Sequence, residues 1–184
     1  MAPSLDHLWA GWRSTYIESI ASGATQAGER AESGVHPPPP GEGTLFERIL
    51  TLSDEDGFIV HRGRSCAVLL NAYPYTNGHV LVLPNRAARE LSDLDAETFA
   101  QLWAQVRDAV EAIRTAYRCD GVNVGMNLGR AAGAGVPDHL HVHCLPRWSG
   151  DTNFMTAVAE TRVMPESLST SWHKLTAAWP APRP

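Results

Sequence analysis

Apolar side chains recur along this chain with two different periods, and each change of period marks an element boundary. Over the first twenty residues, Leu5, Leu8, Trp9, Trp12, Tyr16, Ile17 and Ile20 repeat at helical spacing, which predicts an amphipathic helix over 1–21. The pattern then stops. Residues 22–43, SGATQAGERAESGVHPPPPGEG, are rich in Gly, Pro, Ala and Glu and poor in large apolar groups. Such a stretch cannot bury enough surface to offset its ordering entropy, so it reads as a flexible linker. The helix it tethers is thereby a candidate for packing across a dimer.

From residue 44 to 184 the pattern is that of a folded domain. FIVHR (58–62) and CAVLLNAY (66–73) read as strands joined at a turn near Gly63, and GHVLVLP (78–84) follows the turn-like PYTNG. From Ser92, taken as an N-cap, Phe99, Leu102, Trp103, Val106, Val110, Ile113 and Tyr117 fall on one helical face. Asp93, Asp95 and Glu97 sit in the first turns, where the macrodipole favours anions. VNVGMNLG (122–129) and HLHVHCLP (139–146) read as two more strands around a glycine-rich loop. After Pro165 a short helix is expected to bury Leu168, Trp172, Leu175 and Trp179. This order predicts an α+β fold, an antiparallel sheet of about five strands with one long helix and a C-terminal helix.

Composition narrows the possibilities. With 184 residues, 43% of them hydrophobic, the chain can build one well-packed core. No apolar run approaches the roughly 18–20 residues of a membrane span, and the N-terminus lacks the order of a secretory signal. No membrane association is expected. Cys66, Cys119 and Cys144 are three scattered cysteines without a C-x-x-C pair, which favours a reducing, cytoplasmic setting. A net charge of −5 disfavours binding a nucleic-acid polymer, although one phosphorylated small molecule needs only a local pocket.

The chemistry concentrates in DHLHVHCLPRW (138–148), where three of the eight histidines alternate. On a strand, His139, His141 and His143 would share one face, with Leu140, Val142 and Cys144 on the other. A solvated face is one reading. A metal site is another, yet His139 and His143 would stand about 13 Å apart at Cα, too far for all three rings to reach one ion. A third reading is nucleophilic attack at phosphorus, since neutral imidazole predominates near pH 7. In that case the central ring attacks while its neighbours handle proton and phosphate.

These residues resemble the signature of the histidine triad family, His-φ-His-φ-His-φ-φ with φ apolar, followed here by Pro146-Arg147. Upstream, LLNAYPYTNGHVLVLP is similar to that family's strand pair, with Asn71 eight residues before His79. LWAGWRSTYI, SDEDGFIVHRG, GVNVGMNLG and PRWSGDTNF are similar to stretches of the bacterial branch that includes diadenosine tetraphosphate phosphorylases. The resemblance implies that His141 attacks the α-phosphorus and carries a nucleotidyl group. It implies that His143 and His139 bond the phosphate and leaving group, and that His79 completes the cluster. Asn71 would bind ribose, Asn127 would face the phosphates, and Phe46 and Leu69 would contact the base. Gly133 and Gly135 could offer backbone N–H groups to phosphate.

Two departures qualify it. Many relatives bind structural zinc through Cys-x-φ-Cys near the domain start; TLFER offers Thr44 and Glu47 there, so no metal is expected. Before the triad, relatives carry a hydroxyl or amide side chain where this chain has Gly133-Ala134-Gly135-Val136. The expected protein is a homodimeric or larger enzyme acting on a dinucleoside polyphosphate or related conjugate. It needs no cofactor of its own, with Mg²⁺ entering only alongside substrate. A phosphoramidate or adenylate hydrolase and a non-catalytic nucleotide sensor are the alternatives.

Overall fold

The computed structural model describes residue 38, residues 41–151 and residues 166–182; the predicted helix over 1–21 and most of the linker lie outside them. The described chain runs α1 (Leu45–Ile49), β1 (Ile59–Arg62), β2 (Cys66–Leu70), β3 (Val80–Pro84), α2 (Ala96–Tyr117), β4 (Gly121–Met126), β5 (Val142–Arg147) and α3 (Leu168–Ala177). The five strands form one antiparallel sheet in the order β1-β2-β3-β5-β4. The expected α+β architecture is what the chain adopts.

Strand alternation divides the buried side chains between the two faces of the sheet. Val68, Leu70, Val80, Val82, Val142 and Cys144 pack beneath α2 and α3. Leu69, Leu81 and Leu83 face the other way and form a smaller core with Phe46 of α1 and Ile59. Because β2 and β3 are covered on both sides, every residue in each is buried, and their sequences read as apolar runs without alternation.

Helix α2 begins later than its polarity pattern suggests. Ser92 lies in a 3₁₀ turn (Leu91–Asp93), and Asp95 is the N-cap, accepting the Thr98 N–H at 2.7 Å. A carboxylate at the cap satisfies one of the orphan N–H donors of the first turn. The buried stripe is also rotated. It consists of Leu102, Gln105, Val106, Ala109, Ala112 and Ile113, while Phe99 and Trp103 remain 42% and 40% exposed. Small alanines bring the helix close to the sheet, so the bulky aromatics fit only at its flank. In α3, Leu175 is buried and Leu168 and Trp172 pack against the main core, as does Trp179 just beyond the helix end. The Trp172 indole N–H donates to the Ile59 carbonyl at 3.0 Å.

The triad segment differs most from expectation. The ladder of β5 starts only at Val142, paired with Val82 and Met126. His139 and His141 therefore precede the strand, and of the three alternating histidines His143 alone lies within it, opposite Leu81 and Gly125.

Candidate active site

The rings of His79, His141 and His143 converge where β3, β5 and the segment before β5 meet, and Phe46 links His139 to them. The His79 and His143 centroids are 5.1 Å apart, those of His141 and His143 4.9 Å. Phe46 meets His139 and His141 edge-on at 5.4 and 5.1 Å. His79 and His139 are fully buried and His141 is 5% exposed.

The hydrogen-bond network assigns the tautomers, because a carbonyl can only accept and a backbone N–H can only donate. His141 Nδ1 lies 2.9 Å from the His139 carbonyl, so Nδ1 carries the hydrogen and Nε2 keeps its lone pair. The Tyr75 N–H donates to His79 Nδ1 at 3.1 Å, with the Asn71 side-chain amide nitrogen 3.3 Å from the same atom. His79 Nε2 must then hold the hydrogen, and it lies 2.9 Å from His143 Nδ1. His143 Nδ1 accepts, leaving the hydrogen on its Nε2. The two adjacent rings are thus set in opposite senses: His141 presents a base nitrogen and His143 an N–H.

Burial holds His141 below the ordinary histidine pKa, aided by neighbouring His139 and opposed by the bond to the His139 carbonyl. Burial likewise lowers His139, against the Pro84 carbonyl and Glu47. Desolvation disfavours the charged imidazolium, so both rings stay neutral over a wider pH range.

His139, expected to bond phosphate, uses both ring nitrogens inside the protein. Nε2 donates to the Pro84 carbonyl at 2.8 Å, and Nδ1 lies 2.7 Å from the Thr44 hydroxyl. These two bonds hold its ring among Phe46, Pro84 and Thr44. Phe46 and Leu69, expected base contacts, are 5% and 3% exposed and form the floor beneath the histidines. The Asn71 side-chain oxygen accepts the Tyr73 N–H at 3.0 Å, closing the loop that carries His79. Asn127 reaches the Gly133 carbonyl at 3.5 Å across the glycine loop. The Gly133 N–H, expected to meet phosphate, donates instead to Arg130 O at 2.9 Å; Gly135 follows this closed turn. A tight 3₁₀ turn at Arg130–Ala132 consumes that donor.

By sequence, Thr44 and Glu47 read only as replacements for zinc ligands. Yet T-x-x-E before an apolar run is a capping-box pattern, and that signal was available. The implied zinc can be tested against these residues. Ligand atoms on a tetrahedral zinc stand roughly 3.3 Å apart, given bonds of about 2.0–2.1 Å. Thr44 Oγ1 and His139 Nδ1 are already at hydrogen-bond distance, and His139 Nε2 is committed to Pro84. These residues do not fit the ion. Among the described residues no three His, Cys, Asp or Glu side chains gather as a metal shell.

A HIT domain matches residues 53–150 of the chain. Over 175 residues the chain is 37% identical to AP-4-A phosphorylase of Mycobacterium tuberculosis, covering 95% of this chain and 85% of that protein. The chain belongs to the HIT family. A second HIT relative is bis(5'-nucleosyl)-tetraphosphatase [asymmetrical] of Schizosaccharomyces pombe, 36% identical over 93 residues, half of each chain. Among solved HIT structures, a histidine triad nucleotide-binding protein of Sulfolobus tokodaii superposes with a TM-score of 0.60 at 29% identity, covering 72% of this chain and 89% of that one. A zinc-bound histidine triad family protein of Mycobacterium smegmatis also gives 0.60 at 29% identity, covering 73% and 91%.

Proposed function

We propose that this HIT enzyme cleaves a dinucleoside polyphosphate, with diadenosine tetraphosphate the leading candidate, through a covalent nucleotidyl group on His141. The observation that carries this reading is the opposed setting of His141 and His143, a lone pair beside an N–H at 4.9 Å between ring centroids. In the first step His141 Nε2 attacks the α-phosphorus, and the bond from phosphorus to the bridging oxygen breaks. The leaving polyphosphate takes the electron pair and departs as an anion, its oxygen hydrogen-bonded by the His143 Nε2–H. In the second step water or inorganic phosphate attacks the same phosphorus and releases its proton to solvent. The P–N bond breaks, its electron pair returning to His141. Similarity to the phosphorylase and the tetraphosphatase supports this substrate class. We assign Asn71, Asn127 and Gly135 to the nucleotide. Mg²⁺ enters only with substrate.

The bare Gly133–Val136 loop favours, as a second reading, a nucleoside phosphoramidate or adenylate as substrate. A sensor without turnover would not require the opposed tautomers. We read the assembly as a homodimer or larger, because the edge strand β4 carries no charge and leaves Val124 43% exposed, open to a second copy. Three free cysteines fit the reducing cytoplasm.

The test is a panel of dinucleoside polyphosphates and phosphoramidates, each with and without inorganic phosphate. Nucleoside diphosphate appearing only with phosphate identifies phosphorolysis, and monophosphate without it identifies hydrolysis. An acid-labile nucleotidyl adduct is expected on the native protein and absent from His141→Ala. Undiminished turnover by His141→Ala refutes the covalent route.

A further inference from the structure

The segment bearing the attacking histidine has no ladder to hold it. His139 and His141 precede β5, so their positions depend on contacts made by other parts of the chain. Three of these come from four consecutive residues, TLFE (44–47). The Thr44 hydroxyl meets His139 Nδ1 at 2.7 Å, and Phe46 packs edge-on to both His139 and His141. Glu47 accepts the Thr44 N–H at 2.7 Å and the Ala87 N–H at 3.1 Å. The next residue, Ala88, gives its carbonyl to the Leu140 N–H at 2.7 Å. His139 then passes its placement to the nucleophile, since its carbonyl accepts from His141 Nδ1 at 2.9 Å.

We propose that Thr44 and Glu47 are positioning residues for the reaction, a metal-free pin fastening the N-terminus of the catalytic domain to the histidine that fixes the His141 tautomer. This deepens the reading of the site given above and rests on it. The direction of each bond follows from chemistry. His139 Nε2 must donate to the Pro84 carbonyl, so in the neutral ring Nδ1 carries the lone pair and takes the Thr44 hydroxyl hydrogen at 2.7 Å in preference to Glu47 Oε2, which lies 3.1 Å from the same hydroxyl. The hydroxyl oxygen accepts the Glu47 N–H at 3.3 Å, completing a reciprocal capping box with the carboxylate. One short motif therefore closes α1 and orients a buried imidazole at the same time.

The experiment compares Thr44→Val, Thr44→Ser and Glu47→Gln in the full chain, with diadenosine tetraphosphate as substrate and ¹⁵N imidazole NMR as an activity-independent readout. Thr44→Val keeps the shape and removes the donor. It is expected to lower kcat about tenfold or more, the scale of losing a partner that orients a reactive group, with KM within about twofold. Thr44→Ser should recover most of kcat, and Glu47→Gln, which retains one of two acceptor oxygens, should fall between. In the native protein NMR should find His139 with its hydrogen on Nε2 and His141 with its hydrogen on Nδ1. Unchanged kcat per folded Thr44→Val molecule overturns the pin, as does a Thr44→Ser variant as slow as Thr44→Val. If Thr44→Val does not fold, a Glu47→Gln variant with native kcat overturns it. One equivalent of zinc in the native protein, lost in Glu47→Gln, overturns it too. If the native chain turns over no substrate in the panel, the functional reading fails alone; the pin then stands or falls on the His139 tautomer.

Discussion

Gly78 precedes the buried His79, and its replacement by alanine gives a sharp test of how the histidine cluster is held. Its φ is +75°, a left-handed conformation that costs a non-glycine residue roughly 1–2 kcal/mol. A Cβ built there would lie 2.4 Å from the Tyr117 ring carbon Cε2. The ring cannot swing away freely, because the Tyr117 hydroxyl donates to Glu166 at 2.6 Å, and Glu166 also binds Ser171 and Lys174 of α3. Forcing a methyl group into such a contact costs typically 1–3 kcal/mol, so Gly78→Ala should lose about 2–5 kcal/mol in all. That is a large fraction of the roughly 5–15 kcal/mol that keeps a domain folded. Urea unfolding followed by tryptophan fluorescence measures the loss, and a double-mutant cycle with Tyr117→Ala separates its two parts. With the ring gone, Gly78→Ala should cost only the conformational 1–2 kcal/mol, a coupling of about 1–3 kcal/mol. A coupling near zero would refute the claim that Tyr117 braces the turn before His79.

Two further expectations follow from burial. Because desolvation depresses His141 and His139, the acid limb of the activity profile should have its midpoint below the ordinary histidine value of about 6.5. The unfolded chain takes up protons at these positions before the folded one does. Their contribution to stability is therefore full above about pH 6.5 and declines as pH falls toward the depressed folded values. Urea midpoints that stay flat between about pH 7.5 and 5, or an acid limb centred above 6.5, would contradict this. Burial also pushes the Cys66 thiol up to about 11 and the Cys144 thiol up to about 12. At pH 8 an alkylating reagent mapped by mass spectrometry should modify both only after denaturation, since the thiolate is the reactive form. Rapid modification of Cys144 in the native protein would show that the α2 face of the sheet opens.

Short apolar runs bounded by turn residues were enough for the strands, and helical spacing for the long helix and the α3 stripe, because both signals are local to the sequence. The histidine spacing was enough to point to the family. What the pattern could not decide is where alternation ends. His139 and His141 read as strand residues by type, yet the ladder begins at Val142, since the preceding backbone leaves the sheet to bond Ala88 and to bury its ring beside Pro84. Likewise, Phe99 and Trp103 belong to the apolar stripe by spacing, but the alanines at 109 and 112 set how closely α2 approaches and leave the large rings outside. The tautomer of each ring follows from the partner the folded backbone sets beside it: the His139 carbonyl for His141, the Tyr75 N–H for His79 and the His79 Nε2–H for His143. Residue type and spacing are local properties of the chain. Which nitrogen of His143 or His139 carries the hydrogen is decided by neighbours 64 and 55 positions away in sequence, and only the folded arrangement brings them within reach.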